Sequence, residues 1–241
     1  MADDRRRSVL PGQEAPVDDD RRLASDRREE SRDDTDRRRH RDAIFAFARA
    51  AERHDADTGR HLLRIGGLSR ALARHVPASI APDDPERFGD DAMLHDVGKL
   101  CVDPALLTYD GPLSPEQRAA IEHHTIHGDE LLAGFPDLAR ARGIARSHHE
   151  RWDGTGYPDR LAGEAIPASA RIVSAADILD ALASPRAYKA GWAWDVAIQH
   201  VVDLGGTVLD PQVARAVQRA DSAGALHDAW LEGPDPARQT G

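Results

Sequence analysis

From Ala43 onward no run of residues alternates apolar and polar with a period of two, and apolar residues recur instead at spacings of three and four. Between His61 and Val76, Ile65, Leu68, Leu72 and Val76 form one stripe, the pattern of a helix with a single buried face. Strands exposed on one side need the missing alternation, so an extended sheet is excluded and an all-α fold is expected. Punctuation agrees. Ser114-Pro115-Glu116-Gln117 reads as an N-cap, a proline in the first turn and a capping-box glutamine. Asp210-Pro211 opens a helix by the same logic, and Asp195 starts one that Gly205-Gly206 can end. Ala168 to Ala183 reads as an almost wholly apolar helix carrying Asp177 and Asp180. Arg151 to Pro167, with three glycines and two prolines, reads as a long loop. Loops of that length in a compact domain are commonly functional.

Residues 1–42 differ in kind. They hold 13 acids and 12 arginines with few large apolar side chains, too little to offset ordering entropy, and are expected to form a disordered or solvated helical tail. The tail's charges nearly cancel, so the net charge of −10 belongs to the folded part and argues against a nucleic-acid polymer as partner. The expected organisation is therefore a tail at 1–42, one domain over 43–220, and a polar C-terminal tail over 221–241. A lone cysteine, Cys101, excludes an internal disulfide framework and suits a reducing, cytoplasmic setting. No apolar run approaches the roughly 18 residues of a membrane helix, so no membrane partner is expected.

Twelve histidines are many for 241 residues, and six of them lie between positions 95 and 149. His95-Asp96, within Leu94-His95-Asp96-Val97-Gly98-Lys99, sets an imidazole and a carboxylate side by side with a lysine one turn later. Asp57 and His61, four apart, share a helix face. His124 lies on the helix that Ser114 opens, and His148-His149 end the next helix. Asp177 stands in an apolar stripe, where an unpaired carboxylate is costly. Imidazoles and carboxylates without thiolates suit iron, manganese or zinc. They outnumber what one ion takes, which points to two ions sharing ligands. His40, His54, His75, His200 and His227 read as surface or satisfied core residues. His123 and His127 stay ambiguous beside His124. Asp180 also reads as a helix-face acid pairing with an arginine, and Lys99 as a solvated helix end.

The strings HDVGK at His95 to Lys99, HHERWDGTGYP at His148 to Pro158 and RIVSAADILDALASPRAYK at Arg171 to Lys189 together resemble the HD-GYP proteins, a subgroup of the HD-domain phosphohydrolases. The resemblance spans roughly residues 43–220. It implies a helical HD-domain bundle extended by the GYP loop, and hydrolysis of cyclic di-GMP to the linear dinucleotide pGpG, GMP or both. The metal ligands it implies are His61, His95, Asp96, His124, His148, His149 and Asp177. His124 is preferred to His123 because the family pattern carries a glycine four residues later, here Gly128. Asp57 occupies a position where members with a third metal use glutamate. Its shorter side chain favours two ions, with Asp57 as a further ligand. Asp96 and Lys99 are the implied catalytic residues, and Lys99, Asp180 and Arg186 the implied substrate contacts. The isoleucine-proline usual after the lysine motif is blurred to Val102-Asp103-Pro104.

Two divalent ions, iron or manganese, about 3.5–4 Å apart can share a hydroxide and aim it at phosphorus. The partners expected on this reading are cyclic di-GMP as substrate, GGDEF-domain proteins at Gly156-Tyr157-Pro158, and a second copy in a homodimer. The competing readings are a phosphohydrolase of another cyclic dinucleotide or nucleotide, and a non-catalytic sensor or adaptor acting through the GYP loop.

Overall fold

A computed structural model of the chain describes residues 35, 38–51, 58–185 and 190–231. Contacts divide the chain into two units, Met1–Arg41 and Asp42–Gly241. The few described residues of the first, 35 and 38–41, are helical, and the rest of the expected charged tail lies outside the described residues, as do Asp57 and Arg186.

The second unit is all-helical among its described residues, with Gly205 and Leu209 forming an isolated bridge. After a helical stretch at 42–51 come α1 (Thr58–Ala73), α2 (Pro85–Ala92), a 3₁₀ turn (Val97–Cys101), α3 (Pro115–Glu122), α4 (His124–Leu132) and α5 (Ala139–Ser147). The long loop and a 3₁₀ turn (Gly163–Ala165) lead to α6 (Ala168–Ala183), α7 (Trp194–Asp203), α8 (Pro211–Ser222) and α9 (Ala225–Leu231).

The local signals act as their chemistry dictates. Ser114 accepts from Gln117 N at 3.2 Å while Gln117 Oε1 accepts from Ser114 N at 2.9 Å, closing the capping box that starts α3. Asp210 accepts from Gln212 N at 2.6 Å at the head of α8. Asp195 falls one residue inside α7, whose preceding residue Ala193 supplies no side-chain cap. The stripe of α1 is buried as its spacing requires: Ile65, Leu68 and Leu72 are fully inaccessible.

Two apolar clusters flank α1. The larger joins its Ile65, Leu68 and Leu72 to Ile172 and Leu179 of α6, Val201 of α7 and Val213 and Val217 of α8. The smaller joins its Leu62 to Ile44, Met93, Leu94, Leu132 and Ala145. Each fully buried aliphatic side chain contributes roughly 1.5–3 kcal/mol, so α1 is anchored from both sides and its first turn is held at the seam.

The bundle also extends past the expected boundary at 220. Helix α9 packs on α1 and α8, with Leu226 fully buried. Ala229 approaches so closely that a Cβ on Gly67 would lie 3.0 Å from its carbonyl oxygen. Leu226, with Ala225, Ala229 and Trp230 packed against the same cluster, holds a helix where the polar composition suggests a tail.

Candidate metal centre

Four segments distant in sequence bring imidazoles to the seam. The first turn of α1 supplies His61. The turn after α2 supplies His95 and Asp96, α4 begins with His124, and His148-His149 follow α5. Close backbone approach makes this possible. The 3₁₀ turn lies so near α4 that a Cβ on Gly98 would sit 1.8 Å from the His124 carbonyl oxygen and 2.4 Å from Gly128 N. Only glycine at 98 lets the His95-Asp96 turn rest on the start of α4.

The ligand atoms fall into two groups, each with its members within 4.8 Å of one another: Asp96, His124, His148 and His149; and His61, His95 and Asp96. Asp96 belongs to both. Its Oδ1 lies 3.2 Å from His124 Nε2 and 3.6 Å from His148 Nε2. Its Oδ2 lies 3.2 Å from His95 Nε2 and 2.5 Å from Lys99 Nζ. Burial would push the Asp96 carboxyl up, but the Lys99 ammonium and the surrounding imidazoles hold it well below the usual carboxylate range.

The far side of each ring fixes its tautomer. A carbonyl can only accept, so His95 Nδ1 donates to Ala92 O (3.0 Å), His124 Nδ1 to Ile121 O (2.7 Å) and His148 Nδ1 to Ala145 O (3.1 Å). The lone pair of each then rests on Nε2, aimed at Asp96. His61 Nδ1 instead donates to a carboxylate, Asp180 Oδ2, at 2.8 Å. Burial pushes the His148 and His149 imidazoles down, so both are neutral, the form that ligates a metal.

A divalent ion fits these residues. His124 Nε2, His148 Nε2 and Asp96 Oδ1 are buried polar atoms that make no hydrogen bond of acceptable geometry. Lone pairs converging on a carboxylate satisfy no one unless a cation stands among them. The donor set, nitrogen and oxygen without sulfur, suits iron, manganese or zinc and leaves the metal's identity open.

The GYP loop roofs the group of Asp96, His124, His148 and His149. Gly156 is pressed on the backbone of His149 to Arg151: a Cβ there would lie 2.5 Å from Arg151 N. Tyr157 stacks on His149 with ring centroids 4.8 Å apart and planes at 29°. Burial first, then the charges of Glu122, Asp96 and Asp177, push its phenol up, so it is a neutral hydroxyl. Glu150, buried beneath the loop, accepts from Asp159 N (2.8 Å) and Leu161 N (3.1 Å) and so folds the segment back on α5.

The remaining expected residues are distributed unevenly. Lys99 stands against Asp96 with its side chain 30% exposed. Asp177 is half-buried on α6, near enough for its charge to act on Tyr157, but outside both tight ligand groups. Asp180 pairs with an arginine, as its helix-face reading expects. It is 2% exposed, and its oxygens accept from His61, Arg64 (Nε 2.5 Å, Nη2 3.2 Å), Ser184 Oγ (3.1 Å) and Trp230 Nε1 (3.1 Å). It sits behind His61, facing away from the shared carboxylate. Burial raises the Asp180 carboxyl, but His61 and Arg64 overcome this and bring it to about 2. His123 and His127 face each other at 5.4 Å outside the ligand groups. His75 bonds its own helix, His200 meets Trp192, and His227 meets Trp194.

Sequence reasoning missed Arg64, Trp230 and Glu150. Arg64 had a signal, lying three residues after His61 on one helix face. Trp230 had none, standing in a stretch whose composition read as a tail.

Known proteins resemble this chain. The chain is 42% identical over 130 residues to the cyclic di-GMP phosphodiesterase response regulator RpfG of Xanthomonas campestris pv. campestris, a match covering 53% of this chain and 34% of that protein. It is 42% identical over 132 residues to a cyclic di-GMP phosphodiesterase of Vibrio cholerae, covering 52% and 27%. It is also 35% identical over 152 residues to the 3'3'-cGAMP-specific phosphodiesterase 3 of Vibrio cholerae, covering 62% and 32%. The chain thus matches about a third of the length of these relatives. The crystal structure of a cyclic GMP-AMP-specific phosphodiesterase of V. cholerae shares its fold, with a TM-score of 0.56 at 15% identity over 82% of this chain and 54% of that one. Residues 40–213 match the profile of the HD domain. The chain belongs to the HD-domain family, and its His-Asp pair and GYP loop are those of the HD-GYP branch.

Proposed function

We propose that the protein is a metal-dependent phosphodiesterase acting on a cyclic dinucleotide, cyclic di-GMP before others. The observation that carries this reading is the division of Asp96, one oxygen toward His124 and His148 and the other toward His95 and Lys99. Two divalent ions would be held here, one by each ligand group with Asp96 common to both, and iron or manganese suits the donors. When bound, such ions acidify a shared water and polarise phosphoryl oxygens.

The chain's own residues do the rest. The carbonyl-anchored rings of His95, His124 and His148 hold their lone pairs in place before anything binds, so little reorganisation is left for the reaction. Lys99, part-exposed beside Asp96, is the cation able to meet a phosphate, with Arg186 proposed as a second. Asp177, near Tyr157 on α6, is proposed as a further ligand, and Asp57 as an optional one. The stacked pair His149 and Tyr157 closes one wall and limits water. Cleavage at phosphorus releases the 3′-oxygen and yields the linear dinucleotide, and a second cut yields GMP. The protein's acidity does not oppose an anionic substrate, because bound cations dominate the local field.

The 3'3'-cGAMP-specific relative gives a second substrate specific support. Both are read in one experiment: protein loaded with manganese or with iron is assayed on cyclic di-GMP and 3'3'-cGAMP side by side. Faster hydrolysis of cyclic di-GMP is expected. Faster hydrolysis of 3'3'-cGAMP reverses the substrate order, and full metal occupancy without turnover of either overturns the enzyme reading. No helix among the described residues is long and apolar enough to cross a membrane.

A further inference from the structure

We propose that the C-terminal helix α9 is a working part of the metal centre, with Trp230 a positioning residue that acts on His61 through Asp180. The inference rests on the reading of His61 as a ligand. Among the imidazoles with hydrogen-bonded Nδ1 atoms, His61 is held differently. His95, His124 and His148 donate to carbonyls of their own turns. His61 donates to Asp180 on α6, 119 residues away, and half-buried α1 geometry alone does not fix its ring.

Asp180 is itself held from several sides. Arg64 Nε and Trp230 Nε1 both donate to Oδ1, at 2.5 and 3.1 Å, and Arg64 Nη2 and His61 Nδ1 donate to Oδ2, at 3.2 and 2.8 Å. The Arg64 guanidinium also stands 5.9 Å from the Trp230 ring centroid, in cation–π range. The indole therefore touches both His61's partner, Asp180, and the Arg64 that shares it. Its own place is fixed by Trp194, at 5.5 Å between rings, and by the contact of Ala229 with Gly67 on α1. A carboxylate held in this way presents Oδ2 to Nδ1 and raises the basicity of the opposite nitrogen, a contribution worth roughly 10–100-fold in metal affinity. Among the described residues the Nδ1 atoms of His124 and His148 bond backbone carbonyls instead of a carboxylate. Loss of the indole N–H should thus weaken one ion site and spare the other.

The test uses the full chain, stripped of metal and titrated with Mn²⁺ alone, with bound ions counted per chain. Wild type should take two ions. Trp230→Phe, which keeps an aromatic ring and loses the donor, should weaken one ion by about 10-fold and leave the other unchanged. Trp230→His, smaller but carrying a ring N–H, should bind that ion more tightly than Trp230→Phe. A role in packing alone ranks these two in the opposite order, which would overturn the proposal. Asp180→Asn should weaken the same ion, and adding Trp230→Phe to it should cost little more, since both act through one bond chain. Equal weakening of both ions by Trp230→Phe, or full additivity with Asp180→Asn, also overturns it. A wild type that binds no ion fails the metal reading itself, and that failure is seen before any variant is measured.

Discussion

The two sides of Asp96 are built from the same residue types but secured by different means. Toward Oδ1, His124 and His148 are pinned by carbonyls within their own helices, and His149 is clamped by a stacked tyrosine. In the other ligand group, His61 depends on a side-chain relay through Asp180, Arg64 and Trp230 that reaches across α6 to α9. A ring anchored to its own backbone is as stable as its helix and offers substitution no handle. A ring anchored through side chains from distant segments can be loosened without unfolding anything. One side of the site is thus fixed by local backbone and a stacked ring, while the other joins His95, held by its own turn, to His61, held by tertiary structure.

The most severe way to break the comparison is to remove what the sides share. His95→Ala combined with Asp96→Ala should abolish binding of both ions and all phosphodiesterase activity, measured by elemental analysis and product release on one preparation. Retained activity after that double change contradicts the assignment. Next in size is Gly98→Ala. Its new methyl would overlap the His124 carbonyl, so the 3₁₀ turn must lift from α4. We expect a loss of roughly 3 kcal/mol in denaturant unfolding of the metal-free protein. Both ion sites should weaken together, because the bridge moves away from one whole side.

Glu150→Gln is a milder and one-sided probe. It leaves one acceptor where the loop presents two amides, Asp159 N and Leu161 N. One part-buried donor then loses its partner, at about 1 kcal/mol. The effect should fall on the His149 side, as a lower melting temperature with the His61-side ion unchanged.

Proton titration separates the sides most gently. Burial depresses His148 and His149 below the ordinary 6.5, so the unfolded chain binds more protons as the medium turns acid. Their contribution is present above pH 6.5 and declines below it, so the metal-free protein should melt at lower temperature at pH 5 than at pH 7. Asp180, near 2 in the fold against an ordinary 3.8, contributes above pH 3.8 and loses that contribution as pH falls toward 2. Asp180→Asn should reduce the slope in the acid window, where Asp96 still contributes, and His149→Gln should reduce the slope between pH 7 and 5.

What the sequence disclosed follows the same division. The stripe of α1, the capping box at Ser114 and the span of α6 were legible because each is local, a matter of spacing within one turn or a few. His95-Asp96, His124 and His148-His149 were legible because their anchors lie within four residues on their own segments. The relay was not. Asp180 was singled out, but its partners Arg64 and Trp230 lie 116 and 50 residues away, and no spacing rule couples them. Helix α9 escaped for a related reason. A short helix is held by tertiary contacts such as Leu226 and Ala229 against α1, which composition does not report. Asp177 illustrates the converse, a residue singled out by its apolar setting that the fold leaves half-buried outside the tight ligand groups.

The central claim is that one carboxylate joins two ion sites, and counting ions in Asp96→Asn against wild type tests it most directly. Manganese titration of the metal-free chains, read by elemental analysis, should give two ions in wild type and a loss of tight binding at both sites in Asp96→Asn. A wild type that holds one ion, or an Asp96→Asn chain that keeps one at unchanged affinity, contradicts a shared bridge.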